Sequence, residues 1–257
     1  MEPLRLPPAA RRRAFMRRLL AWYHRCKRDL PWRRTTDPYR VLVSEIMLQQ
    51  TQVDRVIPKY HEFLRKYPSI EALAAASVGS VRETWYPLGY NIRPVRLHAI
   101  AREVVERFDG RIPDDRGTLL GLKGIGPYTA GALLSFAYGK RAALLDTNVR
   151  RVVQRVFYGM VPQRDGHLWQ VVEHLLPRRV VYDFNQALME LGATVCVARR
   201  PRCAVCPVQP VCRAYPHFAR QARPAERAVP RDRLEGRGAA APSRAAARKT
   251  SRTGRGV

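Results

Sequence analysis

The chain has 257 residues, 46% of them apolar, and a formal charge of +26 from 47 Lys and Arg against 21 Asp and Glu. That apolar content excludes wholesale disorder, and no apolar run approaches the roughly 20 residues that would span a bilayer. So positive a field points to nucleic acid or an anionic surface as the partner.

The basic N-terminus lacks an apolar signal core and a small-residue cleavage site, so a cytoplasmic location is expected, nucleoid-associated if the source is bacterial. Apolar residues then recur at three- and four-residue spacing over 10–28, 38–52, 53–66, 70–76, 79–86, 92–108, 116–122, 127–138, 147–158, 166–176 and 182–195. Asp37-Pro38, Pro68-Ser69, Gly110 and Pro177 punctuate these segments as helix starts and stops. No period-two alternation interrupts them, so the predicted fold class is all-α. Beyond Tyr215 the apolar pattern stops. Residues 217–257 hold 11 basic and 3 acidic side chains, a net of +8, which leaves +18 on residues 1–216. A tail so poor in large apolar groups cannot offset the entropy of ordering, so 216–257 is predicted to be a disordered basic tail.

Three stretches carry chemistry. In Val41-Leu42-Val43-Ser44-Glu45-Ile46-Met47-Leu48-Gln49-Gln50-Thr51, Glu45 is the one ionisable residue between Val41 and Val53. A carboxyl among such neighbours would be desolvated, its pKa raised, and so suited to donating a proton near neutrality. The alternative is a glutamate on the wet face of an amphipathic helix. The segment 122–130, Leu-Lys-Gly-Ile-Gly-Pro-Tyr-Thr-Ala, joins two helical patterns. Gly124 and Gly126 permit a tight turn with bare backbone N–H groups beside a helix start, which suits an anion such as a DNA phosphate. It could equally be a plain helix–helix turn. In Leu144-Leu145-Asp146-Thr147-Asn148-Val149, Asp146 precedes a helix and is placed as its N-cap. A carboxylate there would also be kept ionised. One neutral and one ionised carboxyl flanking a bond is the arrangement of glycoside hydrolysis.

Cys196, Cys203, Cys206 and Cys212 fall within 17 residues, separated by six, two and five, among Arg199, Arg200, Arg202 and Arg213. Four thiolates hold iron–sulfur clusters, or zinc through paired C-x-x-C knuckles. With one C-x-x-C pair the spacing favours a cluster over zinc. Two disulfides are the third reading, and would leave Cys26 unpaired.

Together these pieces resemble the helix-hairpin-helix, endonuclease III-like DNA glycosylases of base-excision repair, and within them the MutY-type adenine DNA glycosylases. The resemblance covers residues 15–215. It is carried by Leu30-Pro31-Trp32-Arg33, Asp37-Pro38-Tyr39, Ser44 to Thr51, Leu88-Gly89-Tyr90, the hairpin at 122–131, Leu145 to Val149, Phe184-Asn185-Gln186-Ala187-Leu188-Met189 and the four cysteines. It implies a six-helix barrel at 30–140, and a second domain of 1–29 plus 141–215 carrying a [4Fe–4S] cluster. The partner implied is double-stranded DNA with a mismatched or damaged base, met by a monomer that flips the base out.

Residue by residue, the resemblance makes Glu45 the acid that protonates adenine N7 and then helps activate water. Asp146 would stabilise or transiently bond the sugar cation, Asn148 would position it, and Tyr128 would hydrogen-bond near Asp146. Strand-cleaving relatives have lysine at the position of Tyr128, so base removal without efficient strand cleavage is implied. Lys123 does not fill that position. Gln50, Thr51 and Tyr90 match residues that enter the duplex or touch the opposite base, and Arg33 matches a contact near the excised base. Full-length members continue into a Nudix-like domain that helps read 8-oxoguanine, whereas here a basic tail follows. A short, cluster-bearing branch that removes thymine or uracil from T:G or U:G mismatches has two arginines where this chain has Gln49 and Gln50. A non-catalytic DNA-binding iron–sulfur protein is the reading from another class.

Overall fold

A computed structural model describes residues 6–89 and 92–221, and every described element is helical. Twelve α-helices follow in order: α1 (Ala9–Cys26), α2 (Pro38–Leu48), α3 (Val53–Lys66), α4 (Ile70–Ala75), α5 (Val78–Trp85), α6 (Ile92–Phe108), α7 (Arg116–Gly121), α8 (Pro127–Ala132), α9 (Thr147–Val153), α10 (Asp165–Leu175), α11 (Val181–Thr194) and α12 (Tyr215–Gln221). Tight single turns lie at Pro31–Arg33, Cys203–Val205 and Gln209–Val211.

Helix starts follow local chemistry. The Asp37 carboxylate accepts from the N–H groups of Tyr39 at 2.8 Å and Arg40 at 3.2 Å, with Pro38 in the first turn. Asp115, Ser77 and Ser69 cap α7, α5 and α4 in the same manner. The helix predicted over 38–52 ends earlier, at Leu48, because Gln50 adopts a left-handed φ of 55° that no helix interior accepts. The segments predicted to run to 138 and 158 both widen in their last turn, at Leu133–Ala137 and Gln154–Tyr158. The tail prediction begins too soon. Tyr215–Gln221 form α12, where the aromatic ring of Phe218 packs beneath the Arg155 guanidinium at 4.7 Å. Residues 222–257 lie outside the described residues.

Helix α2 sits at the centre. It packs against α3, α6, α8 and the wide turn 133–137, and Tyr39, Val41 to Met47 are all buried. A helix enclosed on every side has no wet face for a polar residue. Around it, α6 packs on α4 and α5, while α11 packs on α1 and α9. One continuous apolar core runs from Phe15 through Leu42, Trp85 and Leu133 to Val208.

Gly131 sets the closest approach of α8 to the extended segment before Asp146, since a Cβ there would meet the Ala143 carbonyl oxygen at 2.2 Å. Gly131→Ala should therefore force α8 off that segment and lower stability by about 1–3 kcal/mol, as overpacking does, seen as a lower midpoint in urea. An unchanged midpoint would show that the segment yields freely.

Candidate active site

Glu45 is only 4% exposed, on the third turn of α2. The Tyr128 hydroxyl, one residue into α8, donates to Glu45 Oε2 at 2.7 Å, with Met189 Sδ of α11 at 3.9 Å from the same oxygen of Tyr128. Burial raises the Glu45 carboxyl to a pKa of about 7; the Tyr128 hydrogen bond and the Arg33 charge oppose the rise, and the Asp146 charge adds to it. Glu45, Tyr128, Asp146 and Arg33 thus share one electrostatic neighbourhood. The phenol is pushed well above its usual range by burial first and then by Glu45 and Asp146, so it stays a neutral donor. The resemblance implies a Tyr128 hydrogen bond near Asp146; the hydroxyl donates to Glu45, with the Asp146 charge also acting on it.

Asp146 caps α9, its Oδ1 accepting from Val149 N–H at 2.6 Å. Its Oδ2 accepts from Asn148 Nδ2 at 2.9 Å. Burial nevertheless raises its pKa, with these hydrogen bonds and the Arg151 charge working against the rise. Burial thus works against the helix N-terminus and the hydrogen bonds that favour the ionised form. Asn148 is held in turn, its Oδ1 accepting from Arg151 at 2.6 Å. Gly192 makes this packing possible, because a Cβ there would lie 2.6 Å from the Asn148 Cβ.

Arg33, 10% exposed at its side chain, donates to Gln186 Oε1 at 2.9 Å, Glu190 Oε2 at 2.7 Å and the Arg28 carbonyl at 2.9 Å. Glu190 is 1% exposed and also takes Arg28 at 2.6 Å. Its burial would raise its pKa, and the two arginines outweigh that and lower it. Sequence reasoning passed over Glu190. The signal that marks Glu45, a single acid within an apolar helical stretch, is present again between Phe184 and Thr194.

The hairpin joins α7 to α8 through Leu122–Gly126, closed by the Ile125 N–H donating to the Leu122 carbonyl at 3.1 Å. Gly124, at φ 109°, occupies a conformation closed to other residues, whereas Gly126, at φ −90°, does not require glycine for its backbone. Gln50 and Thr51 form the turn after α2, Gln50 exposed and Thr51 half-buried. Tyr90 lies outside the described residues.

The four cysteines line one cavity together with Leu191 and Val195. Among the described residues, no three His, Cys, Asp or Glu side chains converge closely enough to hold a single metal ion. Four thiols lining one cavity are the donor set that iron–sulfur clusters use. Burial pushes the thiols of Cys203 to about 11 and Cys206 to about 12, and raises Cys212 also. The wide turn 154–158 receives this loop: the N–H groups of Arg213 and Ala214 donate to the carbonyls of Val156 and Arg155 at 2.9 and 3.0 Å. Arg151 also reaches it, donating to the Cys196 carbonyl at 2.7 Å.

Comparison with known proteins adds an independent finding. Residues 43–175, just over half of the chain, match the family described as "HhH-GPD superfamily base excision DNA repair protein". The chain is 46% identical to the adenine DNA glycosylase of Rattus norvegicus over 215 residues, which are 79% of this chain and 42% of that protein. It is also 46% identical to the adenine DNA glycosylase of Mycolicibacterium smegmatis, over 74% of this chain and 66% of the other. The chain thus spans between two-fifths and two-thirds of the length of these relatives. A solved structure of a thermostable thymine-DNA glycosylase superposes with a TM-score of 0.76 at 33% identity, covering 81% of this chain and 98% of that one.

The buried carboxyl has a thermodynamic signature. The folded-state pKa of about 7 exceeds the ordinary 4.5, so the native state holds the extra proton between those values and stability falls as pH rises through that window. Glu45→Gln carries no charge at any pH. It should match wild type near pH 4.5 and exceed it above pH 7, by up to roughly 3 kcal/mol, in urea unfolding at the two pH values. Equal stability of the two proteins at pH 8 would show that Glu45 is not desolvated.

Proposed function

The chain belongs to the HhH-GPD superfamily of base excision DNA repair proteins, and within it we propose a monofunctional DNA glycosylase that removes adenine mispaired with 8-oxoguanine or guanine. One observation carries this reading: a carboxyl held near pKa 7 by burial, gripped by a neutral phenol, within electrostatic reach of a second carboxyl. With its pKa raised to about 7, the Glu45 carboxyl is available as an acid near neutral pH. In the proposed reaction Glu45 donates its proton to N7 of an extruded adenine, which draws electrons out of the N-glycosidic bond. The bond breaks, the purine departs with its electron pair and the new proton, and the sugar is left cationic. Asp146, steadied by Asn148 and the Val149 N–H, is the negative partner of that sugar. Glu45, now ionised, takes a proton from the water that adds to the sugar carbon, which restores the acid. Tyr128 supplies no amine for a Schiff base, so the strand is left uncut.

Duplex DNA is engaged, in this reading, by the backbone at Gly124 and Gly126, by Gln50, Thr51 and Tyr90, and by Arg33 near the excised base. The two-domain division at residues 30–140 and 1–29 with 141–215 belongs to the same proposal. Cys196, Cys203, Cys206 and Cys212 would hold a [4Fe–4S] cluster that cross-links the arginine-bearing loop. A second reading, thymine removal from T:G mismatches, is favoured by the 98% coverage of the thymine-DNA glycosylase chain. Gln49 and Gln50 favour adenine.

Single-turnover assays on duplexes holding A:8-oxoguanine, A:G and T:G separate these readings. Adenine should be released, with a rate that falls as pH rises through about 7, because the acid is present below its pKa. Glu45→Gln should lose roughly 100- to 10,000-fold while retaining duplex binding. Thymine release without adenine release would replace the first reading by the second. For the cysteines, protein purified without oxygen should be brown and contain iron and inorganic sulfide in equal amounts, and Cys203→Ser should lose both. A colourless, zinc-bearing preparation would exclude the cluster.

A further inference from the structure

Arg93, in the first turn of α6, is 4% exposed and plays no part in the chemistry above. Its guanidinium reaches two separate turns at once. Toward the end of α2, Nη1 donates to the carbonyls of Ile46 at 3.1 Å, Met47 at 2.8 Å and Gln49, and Nη2 donates to Thr51 Oγ1 at 3.0 Å. Toward the turn after α5, Nη2 donates to the carbonyls of Leu88 and Gly89, each at 3.2 Å. The guanidinium carbon lies 5.4 Å from the centre of the Trp85 ring.

The acceptors are those that most need a donor. The last carbonyls of a helix have no partner within it, and they form the negative end of its dipole. Gln50, between the gripped Gln49 carbonyl and the gripped Thr51 hydroxyl, holds a left-handed φ of 55° that a non-glycine residue keeps only when its surroundings impose it. Its side chain is exposed while its neighbours are anchored. The second turn is braced from another helix as well, by Arg55 donating to the Pro87 carbonyl at 2.7 Å. A planar guanidinium with five donors spans both turns, whereas a lysine ammonium on a flexible stem serves only one of them well.

The geometry points to Arg93 as a positioning residue that locks the Gln49–Thr51 turn and the Leu88–Gly89 turn into one rigid edge, which opens the duplex around the target base. This rests on the glycosylase reading of the previous subsection. Arg93 touches no reacting group; it acts through the exposed Gln50 and the turn opposite. Holding both turns in advance spares the ordering that flipping a base would otherwise require of them.

The test separates base extrusion from both binding and chemistry. A duplex carries 2-aminopurine beside the target adenine, and the proteins are Glu45→Gln and the double variant Glu45→Gln/Arg93→Lys, each at saturating concentration. Glu45→Gln should raise the 2-aminopurine fluorescence on binding, and the double variant should bind with less than a third of that rise. Arg93→Lys alone should release adenine 10- to 100-fold more slowly than wild type under single turnover, with an unchanged pH midpoint. Full fluorescence in the double variant would overturn the proposal even if wild type is active. A wild type that releases no base from any duplex would instead overturn the glycosylase reading. Should Arg93→Lys fail to fold by circular dichroism, Thr51→Val in the Glu45→Gln background decides by the same readout. It retains the arginine and removes one acceptor, so a full fluorescence rise there would overturn the proposal.

Discussion

A carboxyl group removed from water on a helix buried from Val41 to Met47 is the constraint from which the rest of this molecule follows. Glu45 lies in the buried run of α2 and is only 4% exposed, so the folded protein leaves it little contact with water. Burial of that kind disfavours the charged form and holds the proton near neutrality. The hydrogen bond from Tyr128 favours the charged form and keeps the shift from growing further. The result is an acid that gains and loses its proton within the ordinary working range of pH. Such poise costs stability above neutral pH, a common trade at functional positions.

Rigid packing alone would not hold the groups around it. Short polar chains do so, and most of them end in an arginine. Arg33 joins the turn at Pro31–Arg33 to Gln186 and Glu190 of α11. Arg151 links Asn148, the Gly192 carbonyl and the Cys196 carbonyl, so the cap of α9 and the cysteine loop share one donor. Arg93 performs the corresponding task at the other end of α2. Each is a planar group that satisfies several acceptors set at fixed angles, which a lysine cannot reproduce.

Much of this was legible in the residues, and the exceptions have physical causes. The helical segments follow the apolar period because burial imposes it. Glu45 stood out as a single charge among apolar neighbours, and the structure encloses it. Asp146 was legible as a cap, since an aspartate before a helix start accepts the free N–H groups there. The upward shift of its pKa was not legible, because burial depends on what packs over it from elsewhere in the chain. Gln50 defeated the helix reading: the pattern continued through it, and the stop lies in an arginine more than forty residues away. Long separation along the chain likewise hid Arg93, Arg151 and Glu190, whose partners lie 45 or more residues away. Helix α12 was missed because its composition resembles the tail, while its anchor is a ring under Arg155.

The inward-turned guanidiniums also change what the charge balance means. Arg33, Arg93, Arg151 and Arg155 spend their donors on internal carbonyls, amides and carboxylates rather than on solvent. Cations held in that way are poorly placed to displace the ion atmosphere of a polyelectrolyte. On the proposed function, the small ions released when a duplex binds would therefore come from the outward arginines and lysines. Composition overstates the grip, and part of the surplus is mortar between helices.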